Sequence, residues 1–183
     1  MRVAALFPGI GYHCDKPLLY YSAKLARRAG YEVVTVPYAG FPEKVRGNVE
    51  KMRVCLEIAQ TQAETLLEPV RWEDCEDILF IGKSIGTVVA SRYAREKGLK
   101  IHSVLLTPLE ATFRYVDGYA IAFHGTADPW AETGAIRAAC DQRGIPLYLT
   151  EAANHSLETG DVPRDVGILR ETLDRISKFI GEI

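Results

Sequence analysis

The chain alternates strand-like and helix-like segments from end to end, and this alternation constrains the fold more than any other feature of its 183 residues. Most of the strand-like segments are nearly continuous apolar runs, as in strands covered on both faces. The predicted strands are 2–8, 31–37, 77–82, 101–107, 119–125 and 145–151. Strands that alternate with helices predict an α/β domain with a mostly parallel sheet of about six strands and helices on both faces.

The helical segments have an amphipathic pattern. Segment 48–70 opens on Asn48 and repeats apolar residues every three or four positions, and segment 163–180 does the same. The first helix is predicted to follow Asp15 as its N-cap, with Gly30 as its C-terminal stop. Apolar stripes of this kind cover a sheet. Because no linker, internal repeat or low-complexity segment interrupts the pattern, we expect one domain over 1–183.

Charge and hydropathy argue against nucleic-acid and membrane functions. The formal net charge is −2, so there is no basic surface for nucleic acid. No apolar run approaches the roughly 18 residues that a membrane span needs, and the N-terminal run breaks at Pro8-Gly9 without the features of a signal peptide. The cysteines have no C-x-x-C or zinc-site spacing, so we expect no metal site, reduced thiols and a cytoplasmic location. They are Cys14, Cys55, Cys75 and Cys140.

The sequence Gly82-Lys83-Ser84 has the ending of a phosphate-binding loop, but its context argues against that function. Such a loop requires a glycine five residues before the second glycine, and Asp77 stands there. The intervening residues 78–81 are predicted as strand, whose N–H groups are committed to the sheet. The phosphate-loop interpretation is therefore rejected.

Residues Gly82 to Gly86 also form a G-x-S-x-G motif between a predicted strand and a predicted helix. This is the context of a nucleophile elbow, a sharp turn that projects a serine hydroxyl above the sheet. Glycines two residues before and two residues after Ser84 suit such a turn because it leaves little room for side chains. A serine hydroxyl is a weak nucleophile without a base, so an acid and a histidine must follow.

Asp128 lies in the loop after strand 119–125, and His155 lies in the loop after the last strand. The order Ser84, Asp128, His155 is a known order for a catalytic triad on a sheet of this kind. Loops at the carboxyl ends of parallel strands meet at one edge of the sheet, so we expect the three side chains to come together there. Taken singly, Asp128 fits a turn and His155 a polar loop. Among the other histidines, His124 is predicted to hydrogen-bond to backbone and His102 to lie at the surface.

The motifs Gly82-Lys83-Ser84-Ile85-Gly86, His124-Gly125-Thr126-Ala127-Asp128-Pro129 and Asn154-His155-Ser156 resemble those of the α/β-hydrolase superfamily. The chain is similar over nearly its whole length to the small, cap-less members related to dienelactone hydrolases. It differs from those in carrying serine where they have cysteine. The resemblance implies a serine hydrolase of the carboxylesterase or thioesterase type, which acts on a small acyl substrate through an acyl-enzyme and needs no cofactor.

The resemblance also implies an oxyanion hole for the tetrahedral intermediate. One donor is expected to be the backbone N–H of Ile85, directly after the nucleophile. The second is expected in the loop after the first strand, where the correspondence favours the N–H of Ile10 over that of Gly11 or Tyr12. A Gly-rich turn leading into the first helix accounts for the same residues without an oxyanion role.

Substrate specificity is only weakly indicated by the sequence. Tyr12, Phe41, Phe113 and Trp130 are candidate wall residues, although each also fits simple packing. Lys83 either favours an anionic substrate or is simply solvated. An alternative to the enzyme is a catalytically silent binding or scaffold protein with the same fold. We expect a monomer or a small homo-oligomer.

Overall fold

A computed structural model describes residues 1–183 and contains one six-stranded sheet. Every neighbouring pair of strands is parallel, and the spatial order is β2-β1-β3-β4-β5-β6. The α/β prediction, with helices on both faces, is therefore confirmed. The strands are β1 (Arg2–Phe7), β2 (Glu32–Thr35), β3 (Asp77–Lys83), β4 (His102–Leu106), β5 (Tyr119–Gly125) and β6 (Leu147–Thr150).

Five α-helices cover the sheet. Alternate residues of β3 point to opposite faces of the sheet. Leu79 and Ile81 pack in a cluster with α1 and α5, while Ile78 and Phe80 pack with α2 and α3 on the other face. Helix α4 packs on the same face as α2 and α3. No helix has the length and apolar character needed to cross a bilayer. The helices are α1 (Pro17–Arg28), α2 (Val49–Leu67), α3 (Ile85–Glu96), α4 (Thr133–Arg143) and α5 (Val162–Gly181).

The edges of the sheet differ most from the predicted bounds. β2 and β6 are the edge strands, and each pairs with its single neighbour over only four residues. The predicted strands 31–37 and 145–151 were too long, because apolar composition indicates burial and not the length of pairing. Helix α4 was not marked in the sequence. Its N-cap is Glu132, whose carboxylate accepts hydrogen bonds from two backbone N–H groups of the first turn.

The N-cap predicted for α1 is wrong, whereas α2 and α5 each begin with a side-chain cap. The side chains of Asn48 and Asp161 accept hydrogen bonds from backbone N–H groups in the first turns of α2 and α5. Asp15 does not cap α1, and its side chain is 90% exposed. The hydroxyl of Tyr12 instead accepts a hydrogen bond from the N–H of Leu18 at 3.1 Å. The loop after β1 is thereby tied to the start of α1.

Candidate active site

Ser84 occupies the sharp turn between β3 and α3. Its backbone has φ 56° and ψ −122°, a conformation that L-residues rarely adopt and that stores strain. A Cβ added at Gly82 would lie 2.7 Å from the Thr87 Cα, and one added at Gly86 would lie 2.0 Å from the Phe7 carbonyl oxygen. Glycine is therefore required on both sides of the serine for the chain to turn here.

The loop after β1 passes directly beside this turn. A Cβ added at Gly9 would lie 3.2 Å from the Cβ of Ser84. Gly9 and Tyr12 exchange backbone hydrogen bonds of 3.0 and 3.3 Å, which close a tight turn, and the N–H of Ile10 at its tip has no acceptor in the protein. The N–H of Ile85, at the start of α3, belongs to the first turn, where helical N–H groups have no intrahelical partner. These two N–H groups belong to the two segments that adjoin the serine.

The three residues that the sequence singled out form one hydrogen-bonded chain. The Oγ of Ser84 lies 2.7 Å from Nε2 of His155, and Nδ1 of His155 lies 2.6 Å from Oδ2 of Asp128. The other carboxylate oxygen of Asp128 accepts a hydrogen bond from the N–H of Trp130 at 2.8 Å. The Asp128 side chain is fully buried, and that of His155 is 16% exposed. The structure therefore brings these side chains together at the carboxyl edge of the sheet.

The loop that carries His155 is held by close backbone packing. A Cβ added at Gly125 would lie 2.2 Å from the carbonyl oxygen of Ala153, so the glycine lets this loop approach β5. The side-chain oxygen of Asn154 accepts a hydrogen bond from the N–H of Ser156 at 2.7 Å, which fixes the turn around His155. The residues flanking Asp128 and His155 in the two quoted motifs thus position their loops.

The electrostatics favour a neutral imidazole beside an ionised carboxylate. Burial opposes ionisation of Asp128, but the interactions with His155, the hydrogen bond from the N–H of Trp130 and the nearby His124 together outweigh it, so the pKa of Asp128 lies below its usual value. Burial lowers the pKa of His155, and the nearby Lys83 lowers it further, against the opposing effect of Asp128. A neutral imidazole can accept a proton from the serine hydroxyl.

His124 makes a different contact from the one predicted. Its ring is fully buried, with Nε2 3.1 Å from Oγ1 of Thr133 and Nδ1 3.7 Å from Oδ2 of Asp128. The predicted backbone partner was wrong, because the strand already uses its backbone groups and the start of α4 supplies a hydroxyl. Burial lowers the pKa of His124. This histidine therefore packs against Asp128 without a hydrogen bond to it, and the hydrogen bond to the carboxylate is made by His155.

Thr107 and Trp130 contact His155 in ways that the sequence did not indicate. The Oγ1 of Thr107 donates a hydrogen bond of 3.1 Å to the carbonyl oxygen of His155. The ring of Trp130 stacks on the imidazole, with centroids 5.5 Å apart and an interplanar angle of 27°. Thr107 directly follows β4 at the carboxyl edge, and that position is the signal that could have identified it.

Lys83 is buried, and the solvated interpretation of this residue was wrong. Lys83 is 1% exposed, and its Nζ lies 5.0 Å from the centre of the Tyr12 ring. It makes no hydrogen bond or ion pair within the protein. Burial lowers its pKa to about 7, although the charge of Asp128 acts in the opposite direction. An amine beside Ser84 that has no ion-pair partner is unusual because a buried charge is costly without one.

The candidate wall residues occupy different environments. Tyr12 lies in the turn beside Ser84, and Trp130 lies on His155, as described above. Phe41 packs against Tyr38 with ring centroids 6.0 Å apart. Phe113 is 4% exposed and packs in the core beside α4. No group of three or more histidine, cysteine or carboxylate side chains is arranged to hold a metal ion.

No protein-family model matches the chain, and no curated protein matches its sequence. Solved structures match it over nearly its whole length. An esterase from Pyrococcus furiosus has a TM-score of 0.69 and 13% identity, with coverage of 99% of this chain and 82% of that one. A protein of Xanthomonas campestris pv. campestris assigned to the α/β hydrolase superfamily has a TM-score of 0.67 and 14% identity, with coverage of 100% and 98%.

A serine hydrolase without a lid, also from Xanthomonas campestris, has a TM-score of 0.58 and 17% identity, with coverage of 95% of this chain and 81% of that one. At such low identity these similarities establish the fold alone. The chain has the α/β-hydrolase fold in its form without a lid, as the sequence motifs predicted.

Proposed function

We propose that this protein is a serine hydrolase that cleaves a carboxylic ester or thioester through an acyl-enzyme. The observation that carries the proposal is the unbroken contact from Ser84 Oγ to His155 (2.7 Å) and from His155 to Asp128 (2.6 Å). A strained backbone at the serine supports it, because strain of this kind is concentrated at functional sites. Two solved structures of the same fold are described as an esterase and a serine hydrolase, which favours hydrolase chemistry here.

In the proposed acylation step, Nε2 of His155 removes the proton from Ser84 as Oγ attacks the acyl carbon. The C–O or C–S bond then breaks, and His155 returns the proton to the leaving oxygen or sulfur. Asp128 accepts the hydrogen bond from Nδ1, which keeps Nε2 free as the base and stabilises the imidazolium. Water repeats the sequence on the acyl-enzyme and releases the acid. No step requires a metal or an organic cofactor.

The proposed oxyanion donors are the N–H groups of Ile85 and Ile10. The first directly follows the nucleophile, and the second lies at the tip of the turn that passes beside Ser84. Donors fixed in advance at the position where charge develops lower the barrier, and loss of one typically costs about 10²–10³ in kcat. The absence of a side chain at Gly9 lets the turn approach the serine closely enough for this role.

The test is labelling with a fluorophosphonate probe, which reacts only with activated serines. We expect the wild type to be labelled, and Ser84→Ala and His155→Ala to remain unlabelled because nucleophile and base act as a unit. Ser156→Ala is the matched control, since this serine is adjacent to His155 but outside the hydrogen-bonded chain, and it should be labelled like the wild type. A folded wild type that resists labelling would overturn the proposal and favour the silent binding protein.

A further inference from the structure

A cavity of about 420 Å³ lies between the N-terminal ends of α1 and α5, and the proposed chemistry leaves it unused. Its size is within the range of about 300–1,000 Å³ that is usual for small-molecule sites. Val162 and Val166 at its rim are 70% and 61% exposed, although they are aliphatic. The apolar walls include Tyr12, Leu18, Leu157, Val162, Val166 and Leu169.

This cavity adjoins the candidate active site from two directions. Ser156, Leu157 and Glu158 line it and directly follow His155 in the chain. Tyr12 lines it as well, and the same ring covers the Nζ of Lys83 beside the nucleophile. The cavity therefore adjoins the loop that carries His155, whose Nε2 lies 2.7 Å from the Oγ of Ser84.

The side on which the cavity lies determines which part of a substrate it can receive. In acyl transfer, the imidazole returns its proton to the leaving group, so the leaving group departs on the imidazole side. Because three of the cavity walls directly follow His155 in the chain, the cavity is close to the group that returns this proton. An acyl chain extends from the same carbonyl carbon in another direction.

The polar groups of the cavity indicate which class of ligand can bind there. The carboxylate of Asp165 is occupied by hydrogen bonds from Thr159 and Gly160. The carboxylate of Glu158 accepts no hydrogen bond and makes no ion pair, and no lysine or arginine lines the cavity to bind an anionic group. The remaining lining is largely apolar.

We propose that this cavity binds the alkyl chain of an uncharged alcohol leaving group, so that the enzyme prefers esters of medium-chain aliphatic alcohols. This inference rests on the proposed function, since it assigns the leaving-group side of the same site. It predicts that activity depends on the length of the alcohol and not on the length of the acyl chain.

The test compares two homologous ester series. In butyl, hexyl and octyl acetate the alcohols have nearly equal reactivity, so differences in kcat/KM report binding of the alkyl chain. Burial of each methylene contributes a factor of about three to four, and we expect kcat/KM to rise at least about tenfold from butyl to octyl acetate. The second series, methyl esters of acids of increasing length, should show no comparable rise.

Val166→Trp fills the cavity at an exposed position and should abolish the rise in the acetate series, so that kcat/KM becomes nearly the same for butyl and octyl acetate. The matched control is Leu66→Trp, at a position of α2 that is 41% exposed on the other face of the sheet, and it should retain the rise. A rise that persists in Val166→Trp, or chain-length dependence confined to the acyl series, would overturn the assignment.

Binding of 1-octanol to the Ser84→Ala variant, followed by protein-observed NMR, tests the cavity without turnover. We expect saturable shifts at Leu169 and Val162 that weaken at least about tenfold when Val166→Trp is added, because the indole occupies the same space. Absence of such shifts would overturn the inference. If the wild type hydrolyses no ester and is not labelled at Ser84, the proposed function fails, and the leaving-group assignment fails with it even if octanol binds.

Discussion

One aspartate–histidine pair lies where the strands begin, at the amino edge of the sheet, and another lies where they end, at the carboxyl edge. The two pairs have very different surroundings. At the amino edge, Asp77 at the start of β3 lies 3.5 Å from Nε2 of His102. At the carboxyl edge, Asp128 lies 2.6 Å from Nδ1 of His155, whose other nitrogen contacts Ser84 just after the end of β3. Only the second pair ends on a serine hydroxyl held in a strained turn, so pairing of an acid with a histidine does not by itself make a site.

The amino-edge pair is part of a structural network. Arg2 contacts Asp77 at 2.8 Å, and the hydroxyl of Tyr31 also donates to this carboxylate. Burial opposes its ionisation, but these hydrogen bonds outweigh it and the pKa of Asp77 lies below its usual value. His102, predicted at the surface, has a side chain that is 33% exposed and packs against Phe179. This network ties β1, β3 and the entry to β2 together.

Removing the carboxylate charge of each pair in turn should give the largest difference between them, and that difference should be in activity. Asp128→Asn should lower kcat by about 10⁴, because the amide no longer holds the imidazole in the required tautomer. Asp77→Asn should leave the activity per folded molecule within about twofold and lower the free energy of unfolding by about 1–3 kcal/mol. Ester hydrolysis and urea unfolding measure the two effects.

Both variants keep the shape of the side chain, so each is the control for the other. A loss of kcat in Asp77→Asn comparable to that in Asp128→Asn would mean that the amino-edge network acts on the site, and the separation between structural and functional pairs would not hold.

The sequence was sufficient to predict the pair at the carboxyl edge but not its surroundings. In a parallel sheet the strand order brings the loops of Ser84, Asp128 and His155 to one edge, so motif order was enough. Burial of Lys83 was not predictable because it depends on the turn that places Tyr12 over its amine. The sequence around Lys83 does not indicate this contact, because Tyr12 lies about seventy residues earlier in the chain.

Lys83 and Asp77 are charged groups at opposite ends of β3, and only Asp77 has partners. The pKa of Lys83 is about 7 in the folded protein and near 10.5 in the unfolded chain. Between these values the unfolded chain binds more protons, so this residue makes the protein more stable as pH rises from about 7 to 10.5 and less stable as pH falls. Lys83→Met should therefore increase the free energy of unfolding at pH near 6.5 by about 1–4 kcal/mol.

The gain from Lys83→Met should shrink as the pH approaches 10, where the wild-type amine is neutral. Urea unfolding at both pH values measures it, and Lys178→Met, at a position whose side chain is 79% exposed, is the control that should show no such trend. A gain that is equal at both pH values would show that the buried amine does not titrate between them.

The pH dependence of activity should also depend on Lys83, through its effect on the pKa of His155. Burial and the charge of Lys83 lower the pKa of His155, so the acid limb of kcat/KM should have its midpoint below pH 6.5, the usual histidine value. Lys83→Met removes one of these causes, so its acid limb should move to higher pH, whereas that of Lys178→Met should not move. A shift to lower pH in Lys83→Met would contradict the assigned direction.

The smallest expected effect concerns the aromatic ring on each histidine. Trp130 stacks on His155, whereas Tyr119 meets His102 edge-on with centroids 6.1 Å apart and an interplanar angle of 87°. In the proposed mechanism, the face of the indole stabilises the imidazolium that forms in the transition state, by about 1 kcal/mol or roughly fivefold in rate. Trp130→Leu should therefore lower kcat/KM about fivefold, and Tyr119→Leu should leave it unchanged.

Trp130→Phe separates the ring face from simple packing, because phenylalanine keeps a weaker π-face while leucine has none. We expect kcat/KM to fall in the order wild type, Trp130→Phe, Trp130→Leu, with the largest differences above the pKa of His155. At lower pH the ring also stabilises the protonated imidazole of the resting enzyme, so its effect on kcat/KM cancels. Equal values for Phe and Leu would assign the ring to packing alone, in which case aromatic contacts at both histidines would serve the same structural purpose.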